Sequence, residues 1–270
     1  SLQANISSQY ISALMLIGAS LPQGLTINLE GQVTSTPYIL MTLEMLQRSG
    51  IQGSFEENTI KIEACSELSP KTIPVESDWS SASYFYSIAA LAEEAEITLS
   101  NYREESLQGD SCLATIYKQF GVETNFDENS ITLKKSKCSK PASITEDLRN
   151  SPDIAQTIAV TCLGLGTACK LTGLHTLKIK ETDRLVALKN EIEKLGGEVV
   201  ISNDHLELKP SATLNKNVAI ATYNDHRMAM AFAPIALKIP VIIEDAMVVS
   251  KSYPDFYNDL ETLKFIVEKD

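Results

Sequence analysis

The sequence is poor in the residues that usually announce a function. It has one Trp, three His and five Cys in 270 residues. The cysteines (Cys65, Cys112, Cys138, Cys162 and Cys169) are odd in number and none forms a C-x-x-C pair. That excludes a disulfide framework and a zinc ribbon, and fits reduced thiols in a cytosolic protein. Cys162 and Cys169 fall in an apolar stretch read as helix, where each would be a small core residue. The histidines (His175, His205 and His226) are scattered and show no H-E-x-x-H spacing, so no metal site is expected. No Gly-rich phosphate loop and no G-x-G-x-x-G fingerprint occurs, so a nucleotide cofactor is not implied. The longest apolar run, Met228 to Leu237, has ten residues and contains Pro234. A membrane span needs about 20, so no membrane partner is expected. No basic segment followed by an apolar one opens the sequence as a secretory leader would. Positive charge is also scarce: 23 Lys and Arg stand against 35 Asp and Glu, a net charge of −12. Such a surface repels phosphate backbones, and no nucleic-acid partner is expected.

What is present is an ordinary globular composition, 44% hydrophobic and 21% charged, and a repeat. The length allows one large or two modest domains. Helix candidates start at Ser7, Trp79, Pro152 and His226, spaced 72 to 74 residues apart. A second series starts near Pro37, Asp110, Thr182 and Pro254, and three of its members end at Gly50, Gly121 and Gly196, as left-handed caps require. Between the helices of each copy lies a short β-prone run: Leu25 to Leu29, Ile97 to Leu99, His175 to Ile179, and Val241 to Ile243. Hairpins follow in the first three copies. The predicted unit is α-β-α-β-β, about 72 residues long, with helices packed inward about a pseudo-symmetry axis. The fourth copy has no hairpin after its second helix. Breaks are expected at Cys65–Ser77 and Ser136–Ser143.

Polar chemistry concentrates where units join. In Lys180-Glu181-Thr182-Asp183-Arg184 a strand is expected to end near Ile179 and a helix to start with Thr182 as N-cap. Lys180 and Arg184 are four apart and can point to one place, where an anion would also feel the unpaired N–H groups of the helix start. The plain alternative is a solvated, salt-bridged helix start. In Asn224-Asp225-His226-Arg227, Asn224 or Asp225 can cap, and Arg227 falls in a first turn where a cation opposes the helix dipole. Its planar fork suits a carboxylate or phosphate ligand. His226 reads as a capping or satisfied core histidine. Lys251 precedes another helix. Asp153, behind Pro152, is either helix electrostatics or a carboxylate base. Ser7, Ser8 and Gln9, with Ser35 and Tyr38, are ordinary caps or neutral phosphate donors. Asp78-Trp79-Ser80-Ser81 reads as a cap with small residues for tight packing. If Lys180, Arg184, Arg227 and Lys251 converge, they form a cationic pocket for small anions, with Asp153 and Glu181 as acid–base candidates.

These segments carry a resemblance. Lys180 to Arg184 resembles the K-E-[ST]-D-R signature of the 5-enolpyruvylshikimate-3-phosphate synthase family. Ser7-Ser8-Gln9-Tyr10, Ser35-Thr36-Pro37-Tyr38, Ser80 to Phe85, Ser106 to Asp110, Asn224 to Met230 and Lys251 to Asp255 are similar to further family segments. The resemblance implies a fold: an inside-out α/β barrel in two lobes of three units each. Residues 1–77 would be the last unit of one lobe, and residues 78–270 most of the second. It also implies a reaction, transfer of the enolpyruvyl group of phosphoenolpyruvate to the 5-hydroxyl of shikimate 3-phosphate, without metal or organic cofactor.

By the same resemblance Ser7, Ser8, Gln9, Ser35, Tyr38 and Lys180 would hold shikimate 3-phosphate, and Asp153 would contact it. Gln9, Arg184, Arg227 and Lys251 would hold phosphoenolpyruvate. Asp153 would take the 5-hydroxyl proton and Glu181 would move a proton at the enol carbon. Thr176 stands where the family usually has Asn. The resemblance further implies that about the first third of a full-length member is missing here. The expectation is weak or no turnover by this chain alone, and a monomer for a full-length protein. The rival readings are a UDP-N-acetylglucosamine enolpyruvyl transferase and a non-catalytic folded fragment.

Overall fold

A computed structural model describes all residues except 5–7, 32, 34–35 and 269–270. Expectations that fall on Ser7 and Ser35 therefore lie outside the described residues. The first unit runs β1 (Leu2–Gln3), α1 (Ser8–Gly18), β2 (Leu25–Glu30), α2 (Thr36–Ser49), β3 (Gly53–Glu56) and β4 (Thr59–Ile62). The second runs α3 (Trp79–Leu91), β5 (Ala95–Ser100), α4 (Leu113–Ile116) between two 3-10 turns, β6 (Val122–Phe126) and β7 (Ser130–Lys135). The third runs β8 (Ser143–Asp147), α5 (Ala155–Leu165), β9 (Ala168–Thr172), α6 (Arg184–Lys194), β10 (Val199–Ile201) and β11 (Leu206–Leu208). The fourth runs β12 (Ala219–Ile220), α7 (His226–Phe232), β13 (Ile242–Ile243) and α8 (Phe256–Thr262).

The repeat is therefore real, and three of its four copies carry one strand more than predicted. Three copies open on a strand that pairs in parallel across the first helix: β1 on β2, β8 on β9, β12 on β13. The first and third sheets share one order, 1-2-4-3 and 8-9-11-10, and the second is 5-7-6. The added strands escaped detection for a physical reason. β1 and β12 have two residues each, and β8 (Ser-Ile-Thr-Glu-Asp) buries a single side chain, Ile144. No period can be read from one apolar position.

Three further corrections concern the third unit. His175–Ile179 is a 3-10 turn, not a strand. The strand is β9, and Cys169 lies on it rather than on the helix that carries Cys162. The helix stops early because Gly166 takes φ +66 and turns its N–H back on Cys162 and Leu163. α6 starts at Arg184, capped by Asp183 rather than Thr182; the Asp183 carboxylate accepts from Val186 N at 3.1 Å.

Helices sit inside and sheets outside. α3 is buried along almost its whole length, and α5 from Ala155 to Leu163. A helix apolar all round belongs in a core. The strands alternate instead: in β4, Ile60 and Ile62 are buried while Lys61 faces water. α3 and α5 are joined by hydroxyls, Ser83 to Thr157 at 3.0 Å and Thr161 to Ser87 at 2.8 Å. The sequence reading of small residues for close packing at this helix holds. Two apolar cores form. One gathers Ile11, Met15, Ile27, Ile39 and Ile60; the other runs from Trp79 to Leu260. Among the described residues no helix is long and apolar enough to cross a membrane.

Candidate functional site

The site is built where helix starts from several units face one another. Asp153 sits in the 3-10 turn Pro152–Ile154 that leads into α5. Its Oδ1 accepts from Arg184 Nη1 at 2.9 Å and lies 3.4 Å from Lys180 Nζ. Its Oδ2 accepts from Arg227 Nη2 at 3.2 Å. Of the four cations expected to converge, Lys180, Arg184 and Arg227 meet on this one carboxylate, whereas Lys251 bonds to Asn224 instead. Burial alone would raise the Asp153 pKa, but Arg227, Lys180 and Arg184 overcome it and hold the carboxyl well below its usual range.

Arg184 has 2% of its side chain exposed. Besides Asp153, its Nη2 donates to Glu181 Oε2 at 2.6 Å and its Nε to Asp225 Oδ2 at 2.7 Å. Asp225 is wholly buried and its other oxygen caps α7, accepting from Arg227 N at 2.8 Å. The sequence singled out Asp225 only as a possible cap; its second role, as anchor of Arg184, had no sequence signal. Three carboxylates (Asp153, Glu181, Asp225) thus balance three cations (Lys180, Arg184, Arg227) in this cluster. The expected net cationic pocket is corrected accordingly: incoming anions would share these cations with carboxylates already on them.

Lys251 is exposed and tied to Asn224, through the backbone carbonyl at 2.7 Å and the side-chain oxygen at 2.8 Å. Tyr223 and Asn224 both have left-handed backbones, φ +54 and +57. That strained loop delivers Asp225 and Arg227, and the Tyr223 hydroxyl pins it by donating to buried Glu191 at 2.7 Å. His226 is not the cap; Asp225 is. The His226 Nδ1 is buried without a hydrogen-bond partner, and burial, then Arg227, lowers its pKa, so the ring is neutral near pH 7.

Tyr38, at the start of α2, brings the first core to the cluster. Burial raises its pKa first, then the charges of Asp110 and Asp153. Asp110 is wholly buried on the turn Gly109–Cys112, and its role was invisible in sequence. Ser8 opens α1 and is half-buried, and Gln9 beside it is exposed. Thr176 is buried with no partner for its hydroxyl. Among the described residues no His, Cys, Asp and Glu group has metal-ligand geometry. An open groove beside the joint, lined by Pro37, Glu104, Gly109, Cys112 and Lys118, holds one cation and does not rival the cluster as an anion site.

Helices inside, sheets outside, and a multi-unit ion cluster at the helix starts define an enolpyruvyl transferase fold. Solved structures agree. An EPSP synthase from Acinetobacter baumannii superposes with TM-score 0.79 at 21% identity, covering 95% of this chain and 60% of that one. The enolpyruvyl transferase NikO from Streptomyces tendae gives 0.63 at 16% identity, over 92% of this chain and 57% of that one. The chain belongs to the EPSP synthase (3-phosphoshikimate 1-carboxyvinyltransferase) family, whose sequence model matches residues 1–260. It is 43% identical over 267 residues to a 3-phosphoshikimate 1-carboxyvinyltransferase of Bacteroides fragilis, and 36% identical over 268 residues to one of Vibrio atlanticus. It spans 98% and 97% of its own length in these matches, and 65% and 61% of theirs.

Proposed function

We propose that this chain carries the anion-binding and proton-transfer groups of a 3-phosphoshikimate 1-carboxyvinyltransferase. The single observation that supports it best is Asp153, which accepts from both Arg184 and Arg227 beside Lys180. In this reading Ser7, Ser8, Gln9, Ser35, Tyr38, Thr176 and Lys180 face shikimate 3-phosphate. Arg184, Arg227 and Lys251, with Gln9, face phosphoenolpyruvate. The 5-hydroxyl oxygen bonds to C2 of the enol while its proton passes to Asp153. C3 gains a proton from Glu181, giving a tetrahedral intermediate. C3 then returns that proton to Glu181, the C2–O bond to phosphate breaks, the proton held by Asp153 leaves with the phosphate, and the enol ether remains. Asp153 is a poor base while three cations hold it. As substrate anions draw on those cations its basicity rises, so the base is switched on by the loaded site. The pair of cores on either side of residue 77 corresponds in this reading to two lobes that meet around the substrates, in a cytoplasmic enzyme that needs no cofactor.

The test is calorimetry with shikimate 3-phosphate, followed by phosphoenolpyruvate, and UDP-N-acetylglucosamine in place of the first. Heat from shikimate 3-phosphate alone among the acceptors supports the reading. Heat only from the sugar nucleotide moves the assignment to the sister transferase. Turnover is followed with this chain alone and with the rest of a full-length relative supplied in trans. No heat and no turnover under either condition leaves a folded, non-catalytic fragment.

A further inference from the structure

One buried carboxylate takes no part in that reaction, yet it holds the loop beside it. Arg184 and Glu191 stand seven residues apart on α6, so they share a face of the helix, about 10 Å apart along its axis. Both reach the loop between β12 and α7. Arg184 takes its far end, through Asp225. Glu191, with 0% of its side chain exposed, takes its near end. Its Oε1 accepts from the Tyr223 hydroxyl at 2.7 Å and its Oε2 from Ala221 N at 3.1 Å. Lys194 Nζ donates to that same Oε2 at 2.7 Å and to Ala219 O of β12 at 3.3 Å. The carboxylate thus has a donor on each oxygen and a balancing cation, which is the condition under which a charge is tolerated inside. Between the two anchors stand Tyr223 and Asn224, in left-handed backbone that a tyrosine seldom adopts. Such backbone persists only where its surroundings over-determine it. Asn224, displayed in this way, turns both its backbone and its side-chain oxygen on Lys251 Nζ.

We propose that Glu191 is a positioning residue for Lys251: through the Tyr223 hydroxyl it keeps Asn224 in the left-handed conformation whose two oxygens hold the Lys251 ammonium. Lys251 ends the 3-10 turn Ala246–Lys251 and is exposed. A free lysine there would spread over many rotamers and lose that freedom when an anion bound. Held by Asn224, its ammonium is already placed, and an anion that uses it binds more tightly for that reason. Arg227 does not depend on Glu191. Its backbone N–H is held by Asp225 and its guanidinium by Asp153. Loss of the Glu191 anchor therefore removes the Lys251 contribution and leaves that of Arg227. The ligand part rests on the reading under Proposed function; the link from Glu191 through Tyr223 to Lys251 does not.

The experiment has a ligand-free and a ligand-bound arm. In the first, lysines are acetylated with acetic anhydride and the rate at Lys251 is read from peptide masses. Tyr223→Phe removes one hydroxyl and keeps the ring. Tyr86→Phe is the control: it loses another tyrosine hydroxyl contact, to Thr124 at 2.7 Å, in the second unit. Lys251 reacts several-fold faster in Tyr223→Phe than in wild type and at the wild-type rate in Tyr86→Phe, while exposed Lys61 on β4 reacts alike in all three. An unchanged Lys251 rate in Tyr223→Phe, or an equal rise in Tyr86→Phe, overturns the proposal. In the second arm, phosphoenolpyruvate binding is measured by calorimetry with shikimate 3-phosphate saturating. Tyr223→Phe weakens phosphoenolpyruvate about tenfold, the worth of one hydrogen bond to a charged group, and leaves shikimate 3-phosphate affinity unchanged. Made in a Lys251→Ala background, the same substitution costs nothing further, since both act through one ammonium. Equal losses in the two backgrounds overturn the route through Lys251. No phosphoenolpyruvate binding by wild type defeats the functional reading instead, and the acetylation rates still decide the link.

Discussion

The guanidinium of Arg184 is held from below by Asp225: Nε to Oδ2 is 2.7 Å, with 2% and 0% of the two side chains exposed. Since Asp225 also caps the helix that begins at His226, one carboxylate fixes a side chain on α6 and the backbone from which Arg227 projects. Breaking a buried pair by removing one partner leaves the other charged and dry. Arg184→Ala is expected to lower unfolding stability by about 3–5 kcal/mol in urea. Arg184→Lys keeps the charge but cannot fork to three carboxylates, and should fall between the two. A midpoint in Arg184→Ala equal to wild type would show that solvent or a shifted side chain repairs the pair.

Asp153→Asn separates binding from chemistry. The substitution keeps the shape and removes the charge that balances Arg227, Arg184 and Lys180. Phosphoenolpyruvate affinity should hold or tighten, because the cations are released to it. Turnover, wherever it is restored, should fall by about 10²- to 10⁴-fold, the usual worth of a general base. A variant that loses affinity and keeps its turnover number would remove Asp153 from the proton path.

The pH dependence of stability follows from two aspartates shifted in opposite directions. Asp110, raised to about 6 in the folded state, binds its proton more tightly there than in the unfolded chain. Its contribution is fully present below the unfolded value near 4 and is lost as pH rises through about 6, a span worth about 3 kcal/mol. Asp153, depressed, contributes above the unfolded value and loses nothing until the pH falls below about 4. Wild type is expected to gain stability from pH 7 to pH 5, and Asp110→Asn to lose that gain. Urea midpoints that are flat across this window in both proteins would count against the buried charge state.

Much of this was legible in the sequence. The helices beginning at Trp79 and His226 and the caps at Gly50, Gly121 and Gly196 stand where periodicity and glycine put them. The convergence of Lys180, Arg184 and Arg227 followed from cations placed at helix starts in separate units. The rest depended on tertiary structure. A two-residue strand such as β12 exists only because β13 lies beside it, and no local pattern encodes that. His175–Ile179 has the composition of a strand, yet Gly166 moved the strand forward to Ala168–Thr172, and the later run tightened into a turn. Asp110 and Asp225 resemble any other helix-start acid in sequence. What distinguishes them, complete burial against a serine or an arginine from another element, is a property of the folded chain alone.

Gly109 gives the last expectation. Its carbonyl accepts from Ser151 Oγ at 2.9 Å, and the space beside its Cα is closed by Asn150 O and Pro37. A methyl group there meets a backbone carbonyl at 2.6 Å, which cannot rotate away. Something must shift, and the freer partner is the Pro37 side chain, at the start of α2 in the first unit. Gly109→Ala should therefore cost about 1–3 kcal/mol, as overpacking does. It should also shift the start of α2 and with it Tyr38, weakening shikimate 3-phosphate binding, as proposed above, more than phosphoenolpyruvate binding. Gly166→Ala is the control, since its left-handed backbone and the Ser211 carbonyl oppose the added methyl at the far end of α5 from Asp153. It should destabilise without selecting between the two ligands. If both variants weakened the two ligands alike, the joint at Gly109 would be a packing contact and nothing more.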